Sequence, residues 1–264
     1  MRLKILHRTE YRYDAPVAYA LQRLRLQPPN NQAQRVESWA VTVEGGIEQL
    51  RFADHYGNDT RLISVDGEPH VIAIEAAGIV DTKDTTGVSG PHRGFAPLWL
   101  FQADTPLTAQ GEGVRALAEA ARGEADEIAR LHRLMAAIRE SVAYKPGATD
   151  AATTAEEAVQ AGEGVCQDHA HVFCAAARAL GAPARYVSGY LKLPDVEQAA
   201  SHAWAEAHVR SLGWVAFDAA NGVCPDETYV RLAVGRDYRD AMPVSGIRLG
   251  AGEEELAVRI TVEQ

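Results

Sequence analysis

The chain has 264 residues, of which 47% are hydrophobic and 23% are charged. These shares are ordinary for a soluble globular protein and exclude a disordered, collagen-like or low-complexity chain. The net charge of −10 argues against nucleic acid as a partner. No run approaches the roughly 18–20 apolar residues of a membrane span, and the charged N-terminus lacks the apolar stretch of a signal peptide. We therefore expect a cytoplasmic chain with no nucleic-acid or membrane partner, and its three cysteines fit a reducing compartment.

Residues 1–97 have the pattern of an antiparallel β-sandwich. Short, partly alternating runs rich in Val, Ile, Tyr and Trp are separated by turn sequences such as PPNN, EGG and DGEP. The predicted strands are RLKILHRTEYRY, SWAVTVE, RFADHYG, TRLISVDG and HVIAIEA. Residues 81–97 are rich in Gly, Thr and Pro, so we place the end of a first domain at residue 97.

Residues 98–264 change to a helical period and then return to strands. GVRALAEAARG, EADEIARLHRLMAAIRESVAY and EGVCQDHAHVFCAAARALG read as helices, and a capping box at Thr154 and Glu157 opens a short one. The strands predicted after them are APARYVSGYLKL, HAWAEAHVR, GWVAFDA, TYVRLAVG and LAVRITVE. The second domain, 98–264, is therefore predicted to be an α+β core of helices packed on an antiparallel sheet.

Cys166 is the candidate nucleophile because it lies where a glycine turn enters a helix. A helix N-terminus supplies unpaired N–H groups and a partial positive charge, which lower the pKa of a thiol and bind a developing oxyanion. Cys174 lies in the apolar part of the same helix and reads as a core residue. Cys224 lies in a loop and is predicted to be a bystander.

His202 is the candidate base. The strand period of two places it on one face with Trp204, Glu206 and His208, while alanines form the other face, against which the helix after Cys166 can pack. If a turn at 210–212 closes a hairpin, Val209 pairs with Gly213, and Asp218 falls diagonal to His202 on the same face. An aspartate there could orient the imidazole and stabilise its charged form. A turn one residue longer or shorter would move Asp218 to the opposite face.

These segments resemble the core of the transglutaminase-like superfamily over roughly residues 140–220. The shared motifs are the Gly-x-Cys-x-Asp turn, the Gly-x-Pro-Ala-Arg-x-Val-x-Gly-Tyr strand, the His-Ala-Trp strand and the aromatic-Asp strand. Residues 1–90 resemble the N-terminal sandwich of its bacterial two-domain branch, whose members are described as cysteine proteases. The resemblance implies a papain-like core with Cys166 as nucleophile, His202 as base and Asp218 as orienting group.

The resemblance also implies acyl transfer at amides: peptide hydrolysis, deamidation or crosslinking. The Cys166 thiolate would attack a peptide or protein amide and form a thioester, with the oxyanion held by its own N–H and by Tyr144 or Gln167. Asp168 belongs to the family pattern, and we favour a capping role for it. Trp204 is a possible supporting residue. Arg185 is expected to be a buried partner for a carboxylate or a ligand of a substrate carboxylate.

Three alternatives stay open beside peptide or amide hydrolysis. The first is amine crosslinking, and the second is a peptide-binding module without catalysis. The third is a metal site, for which the ligand types are Cys166, Asp168, His169, His171 and His202. His169 and His171 point about 200° apart on a helix, so both cannot readily bind one ion, and no EF-hand loop is visible. We expect no metal and no cofactor, and the oligomeric state is left open.

Overall fold

The computed structural model describes residues 1–193, 200–249 and 252–264. The strands are β1 (Arg2–Tyr13), β2 (Tyr19–Leu24), β3 (Gln34–Glu44), β4 (Gly46–Ala53), β5 (Asp59–Val65), β6 (Val71–Thr82), β7 (Val88–Gly90), β8 (Ala143–Tyr144), β9 (Glu163–Gly164), β10 (Ala184–Leu191), β11 (His202–Val209), β12 (Gly213–Phe217), β13 (Tyr229–Gly235), β14 (Val244–Leu249) and β15 (Glu254–Glu263). The helices are α1 (Glu112–Ala121), α2 (Glu127–Ser141), α3 (Ala155–Ala161), α4 (Cys166–Ala179) and α5 (Tyr238–Ala241).

The N-terminal strands form two four-stranded antiparallel sheets, with the orders β15-β1-β6-β3 and β14-β2-β5-β4. Burial alternates along the first half of β1, as expected for a strand with one face on a core. Buried side chains of both sheets share one apolar cluster, which includes Leu3, Leu24, Ile63 and Ile74. The predicted β-sandwich is confirmed.

The strand that begins with His202 and the strand that precedes Asp218 belong to a five-stranded antiparallel sheet with the order β13-β10-β11-β12-β7. Helix α4 packs against β11, and the alanine face of that strand lies in the same apolar cluster as the buried side of the helix. Phe173 of α4 stacks on Phe217 of β12, with ring centroids 5.0 Å apart. Gly181, at φ +84°, follows the end of the helix in a left-handed conformation that favours glycine. The predicted α+β class is confirmed.

The strand predicted over residues 51–57 was wrong at both ends, because the structure has β4 at Gly46–Ala53 followed by a turn. The Asp54 side chain accepts the N–H groups of Tyr56 and Asn58, both at 3.0 Å, and so closes the turn. Its other oxygen lies 3.0 Å from Nε of the buried Arg25. A buried aspartate bound in this way ends the strand regardless of the β propensity of the aromatic residues near it.

The division of the chain at residue 97 stays a prediction. Strand pairs join residues on the two sides of position 97. Strands β14 and β15 pair with β2 and β1, respectively, and β7 pairs with β12. The last two strands of the chain, after residue 243, thus belong to the sandwich. Residues 1–97 in turn contribute the short strand β7 to the sheet that carries His202.

Candidate active site

Cys166 is the first residue of α4 and is half-buried. The helix start is fixed by Asp168, whose Oδ2 accepts the N–H of Val165 at 2.8 Å and the hydroxyl of Thr149 at 2.6 Å. Burial raises the pKa of Asp168 despite these two hydrogen bonds. Asp168 therefore caps the helix that presents Cys166, which matches the structural role favoured from its position.

His202 begins β11, and its Nε2 lies 2.7 Å from Oδ2 of Asp218. The Cys166 side chain is the second hydrogen-bond partner of the His202 imidazole. Burial by itself lowers the pKa of His202, but hydrogen bonds and electrostatic interactions with Asp218 and Cys166 prevail and raise it to about 10. The imidazole is thus held in its charged form at neutral pH.

Asp218 follows the last residue of β12 and is fully buried. Its Oδ2 also accepts hydrogen bonds from Nδ2 of Asn221 at 2.7 Å and from the hydroxyl of Tyr229 at 2.9 Å, and its Oδ1 accepts the N–H of Asn221 at 3.1 Å. Burial alone would raise the pKa of Asp218, but the hydrogen bonds, above all that of His202, keep it below its ordinary value. The carboxylate is therefore ionised beside the imidazole.

The hairpin that brings the two side chains together has the predicted register. Val209 pairs with Gly213 and Ala205 pairs with Phe217, so the position after Phe217 lies opposite Trp204. This places Asp218 diagonal to His202, and the 2.7 Å contact between them follows from that register.

Two aromatic rings enclose the imidazole. The ring of Trp204 lies 6.2 Å from that of His202 at an interplanar angle of 29°, and the ring of Tyr229 lies 5.9 Å from it. Trp204 and Tyr229 meet edge to face at 5.4 Å. A Cβ at Gly189 would lie 2.6 Å from the Trp204 ring and 2.2 Å from the carbonyl oxygen of Val230, so only glycine leaves room for this packing.

Tyr144 and Gln167 differ in how closely they approach this cluster. Tyr144 pairs with Gly164, two residues before Cys166, and its side chain is 54% exposed. Its pKa is raised by partial burial and by electrostatic interaction with Cys166 and Asp218. The Gln167 amide instead donates to the carbonyl oxygen of Asp150 at 3.4 Å. Tyr144 is therefore the better placed of the two as an oxyanion donor, and that role stays a prediction.

The other two cysteines have different surroundings. Cys174 is fully buried in the core, which raises the pKa of its thiol to about 12. Cys224 is half-exposed, and burial raises the pKa of its thiol to about 11. Only Cys166 has a histidine in hydrogen-bond contact among the cysteines, all three of which lie in the described ranges.

The two helical histidines form hydrogen bonds to the backbone. The ring nitrogens of His169 lie 2.8 Å and 2.9 Å from the carbonyl oxygens of Val165 and Val142, while Nε2 of His171 accepts the N–H of Tyr238 at 3.0 Å. Burial lowers the pKa of His171 to about 3. Among the described residues, no group of three or more His, Cys, Asp or Glu side chains is arranged to hold a metal ion.

Arg185 is buried and pairs with the buried Glu206, with 2.7 Å between Nε and Oε2. Of the two roles considered for it, the structure has the partnership with a carboxylate. Asn221 and Tyr229 were not singled out from the sequence. Asn221 lies only three residues after Asp218, a spacing typical of a polar turn that could have indicated it.

Two family models match the chain. The model described as "Transglutaminase-like superfamily" matches residues 115–219, and "Bacterial transglutaminase-like N-terminal region" matches residues 3–81. The first range contains the hydrogen-bonded cluster of Cys166, His202 and Asp218. The second covers most of the N-terminal strands of the sandwich. In the parts of the chain that the structure describes, no helix is long and apolar enough to cross a membrane.

Curated proteins and a solved structure match the chain over nearly its whole length. "Uncharacterized protein Rv2569c" of Mycobacterium tuberculosis (strain ATCC 25618 / H37Rv) is 30% identical over 99% of this chain and 92% of that protein. "Uncharacterized protein ML0607" of Mycobacterium leprae (strain TN) is 27% identical over 99% and 98%. A crystal structure described as "a Putative Cysteine Protease from Cytophaga hutchinsonii" has a TM-score of 0.77 at 23% identity, covers 100% of this chain and 91% of that one, and shares the fold. The chain belongs to the transglutaminase-like superfamily.

Proposed function

We propose that the protein is a cysteine hydrolase that cleaves amide bonds of peptides or proteins through a thioester, with Cys166, His202 and Asp218 as its catalytic triad. One observation carries the proposal: His202 is hydrogen-bonded to the Cys166 side chain and, through Nε2 at 2.7 Å, to the buried carboxylate of Asp218. A nucleophile, a base and a group that orients the base are the parts that covalent acyl transfer requires.

In the first half of the reaction, the Cys166 thiolate attacks the amide carbonyl carbon and a C–S bond forms. The developing oxyanion is stabilised by the N–H groups at the start of α4, which have no acceptor within the helix, and by the hydroxyl of Tyr144. The imidazolium of His202 then gives its proton to the leaving nitrogen as the C–N bond breaks. An amine departs and an acyl-thioester remains on Cys166.

In the second half, neutral His202 takes a proton from water, and the resulting hydroxide attacks the thioester carbonyl. The C–S bond breaks, a carboxylic acid leaves and the thiolate is restored beside the imidazolium. Asp218 stays ionised throughout and stabilises each charged state of His202, since the low pKa of its carboxyl keeps its charge in place.

A pool of peptide amides tests the proposal, with released amines and acyl-enzyme adducts read by mass spectrometry. We expect wild-type protein to release amines, Cys166→Ala to release none, and Cys224→Ala to behave as wild type because that thiol lies outside the cluster. An added primary amine separates the two acyl acceptors, since crosslinking yields an amide with the added amine and hydrolysis yields an acid. Absence of amine release and of any adduct on Cys166 would favour a binding module.

A further inference from the structure

A cavity of about 490 Å³ lies between loops of the N-terminal segment and the edge strand β13. It is lined by residues 29–32, 56–58, 89, 91, 93 and 94, and by Arg185 and Arg231 among others. The volume is in the range of sites that hold small organic molecules. Cys166, His202 and Asp218 do not line it.

The cavity carries an excess of positive charge. Arg93, Arg185 and Arg231 line it, and no aspartate or glutamate of the described residues does. The buried carboxylate of Glu206 forms ion pairs with two of these arginines. Its Oε2 lies 2.7 Å from Nε of Arg185, and its Oε1 lies 3.4 Å from Nη1 of Arg231. The same Oε1 accepts a hydrogen bond from the Ser89 hydroxyl at 2.6 Å. Arg93 has no acidic partner among the described residues. Within residues 1–193, 200–249 and 252–264, two of the three guanidinium charges therefore have no acidic counterpart at the cavity.

One of these cations is buried in part and incompletely bonded. Nε of Arg231 is buried and has no hydrogen-bond partner within the described ranges. A buried donor of a charged group left without an acceptor costs free energy, and an anion beside the same guanidinium group would offset part of that cost. Arg185 is held in place by stacking on Trp214, with 4.0 Å between the guanidinium carbon and the ring centre.

The frame around the cavity is fixed before any ligand arrives. The Gln34 side chain accepts the N–H of Arg231 at 2.8 Å and donates to its carbonyl oxygen at 3.0 Å. Asn58 binds both backbone groups of Val234 in the same way, at 2.9 Å and 2.8 Å. Asn31 uses its Oδ1 for two N–H groups of its own loop, which leaves its Nδ2 as a donor for a ligand. Such preorganisation reduces the entropy lost on binding.

We propose that this cavity binds a small organic anion through a carboxylate or phosphate group. The planar guanidinium groups of Arg93 and Arg231 suit the paired oxygens of such groups, and the Asn31 amide adds a neutral donor. The volume exceeds that of a single inorganic ion and leaves room for an organic portion beside Tyr56, Leu232 and Val234.

Isothermal titration calorimetry on the full chain, with citrate and pyrophosphate as probes at constant ionic strength, tests the site. We expect saturable binding of at least one probe. Citrate alone indicates a carboxylate ligand, and pyrophosphate alone indicates a phosphate ligand. No saturable binding of either probe overturns the proposal. The readout is binding to the resting protein, so it is independent of whether the protein hydrolyses amides.

Two variants locate the binding. Arg231→Gln and Arg93→Gln should each weaken the affinity about tenfold or more, since each removes a charged contact. Arg93 is exposed and unpaired within the described ranges, so its replacement keeps the test valid even if Arg231→Gln does not fold. Arg133→Gln, an exposed arginine on α2, removes the same charge elsewhere and should bind as wild type. Unchanged affinity in Arg93→Gln and in folded Arg231→Gln overturns the proposal.

Discussion

Tyr229 donates its hydroxyl hydrogen at 2.9 Å to Oδ2 of Asp218, the oxygen that also lies 2.7 Å from Nε2 of His202. Asn221 donates to the same oxygen at 2.7 Å. The pKa of Tyr229 is raised by its burial and by the Asp218 charge, so the phenol stays protonated and remains a donor. The carboxylate that faces the imidazole is thus held in place by two further hydrogen-bond donors, Tyr229 and Asn221.

Removing one of these donors should weaken the nucleophile without unfolding the protein. Tyr229→Phe deletes the hydrogen bond to a charged acceptor, which is worth roughly 1.5–3 kcal/mol. The freed Asp218 carboxylate becomes less well oriented, so we expect alkylation of Cys166 near pH 6 to slow about tenfold, with the pH profile displaced to higher pH. Peptide mapping after timed exposure to iodoacetamide measures both.

Tyr19→Phe is the matched control, since Tyr19 is 45% exposed and lies in the β-sandwich. It should leave the alkylation profile of Cys166 unchanged. A Tyr229→Phe profile that overlies wild type would mean that the hydroxyl does not support Asp218.

Stability should depend on the charge of His202. The pKa of His202 is raised to about 10 from an ordinary value of 6.5, so the imidazolium stabilises the fold fully below about pH 6.5, and this contribution is lost as the pH rises through about 10. We expect the difference in free energy of unfolding between wild type and His202→Ala to shrink across that window. Urea unfolding at a series of pH values measures it.

Asp218→Asn checks the origin of this dependence. Loss of the carboxylate removes a principal cause of the raised pKa of His202, so the decline should move to lower pH. If the difference in free energy of unfolding between wild type and His202→Ala stays constant from pH 6.5 to 10, His202 is not held in its charged form.

Cys174 should behave as a core residue. Its side chain is fully buried and burial raises the pKa of its thiol to about 12, so iodoacetamide should not modify it in the folded protein. Cys174→Ser places a hydroxyl in an apolar site, and we expect the free energy of unfolding to fall by about 1–3 kcal/mol. Cys224→Ser, in a half-exposed loop, should cost less. Modification of Cys174 at the rate of Cys166 in the native protein would contradict this packing.

Gly189→Ala should displace the aromatic wall beside His202. The added Cβ would lie 2.2 Å from the Val230 carbonyl oxygen and 2.6 Å from the Trp204 ring, so we expect a loss of roughly 1–3 kcal/mol in the free energy of unfolding and altered tryptophan fluorescence. Gly123→Ala is the control, because a Cβ at that position meets no atom within 4 Å. Equal stability of the two variants would rule out the crowding at Gly189.

The contact between His202 and Asp218 could be predicted from the sequence because it depends on a short local hairpin. Strand alternation and one turn at 210–212 fix the register. Tyr229 reaches Asp218 only because β13 pairs with β10 on the far side of β11, a long-range placement with no local signal. Strands β2 and β14 were not predicted because both are short and neither alternates cleanly. Gln and Arg interrupt the apolar pattern of β2, and Gly interrupts that of β14.

The pair of Cys166 and His202 is tested most directly by the rate at which iodoacetamide alkylates each cysteine at pH 6. An ordinary thiol with a pKa of about 8.5 is less than about 1% ionised at that pH. We expect Cys166 in the folded wild-type protein to react at least about tenfold faster than the same cysteine in urea, and His202→Ala to lose that advantage. Equal, slow alkylation of Cys166 in folded wild type, in folded His202→Ala and in urea would contradict a thiolate paired with His202.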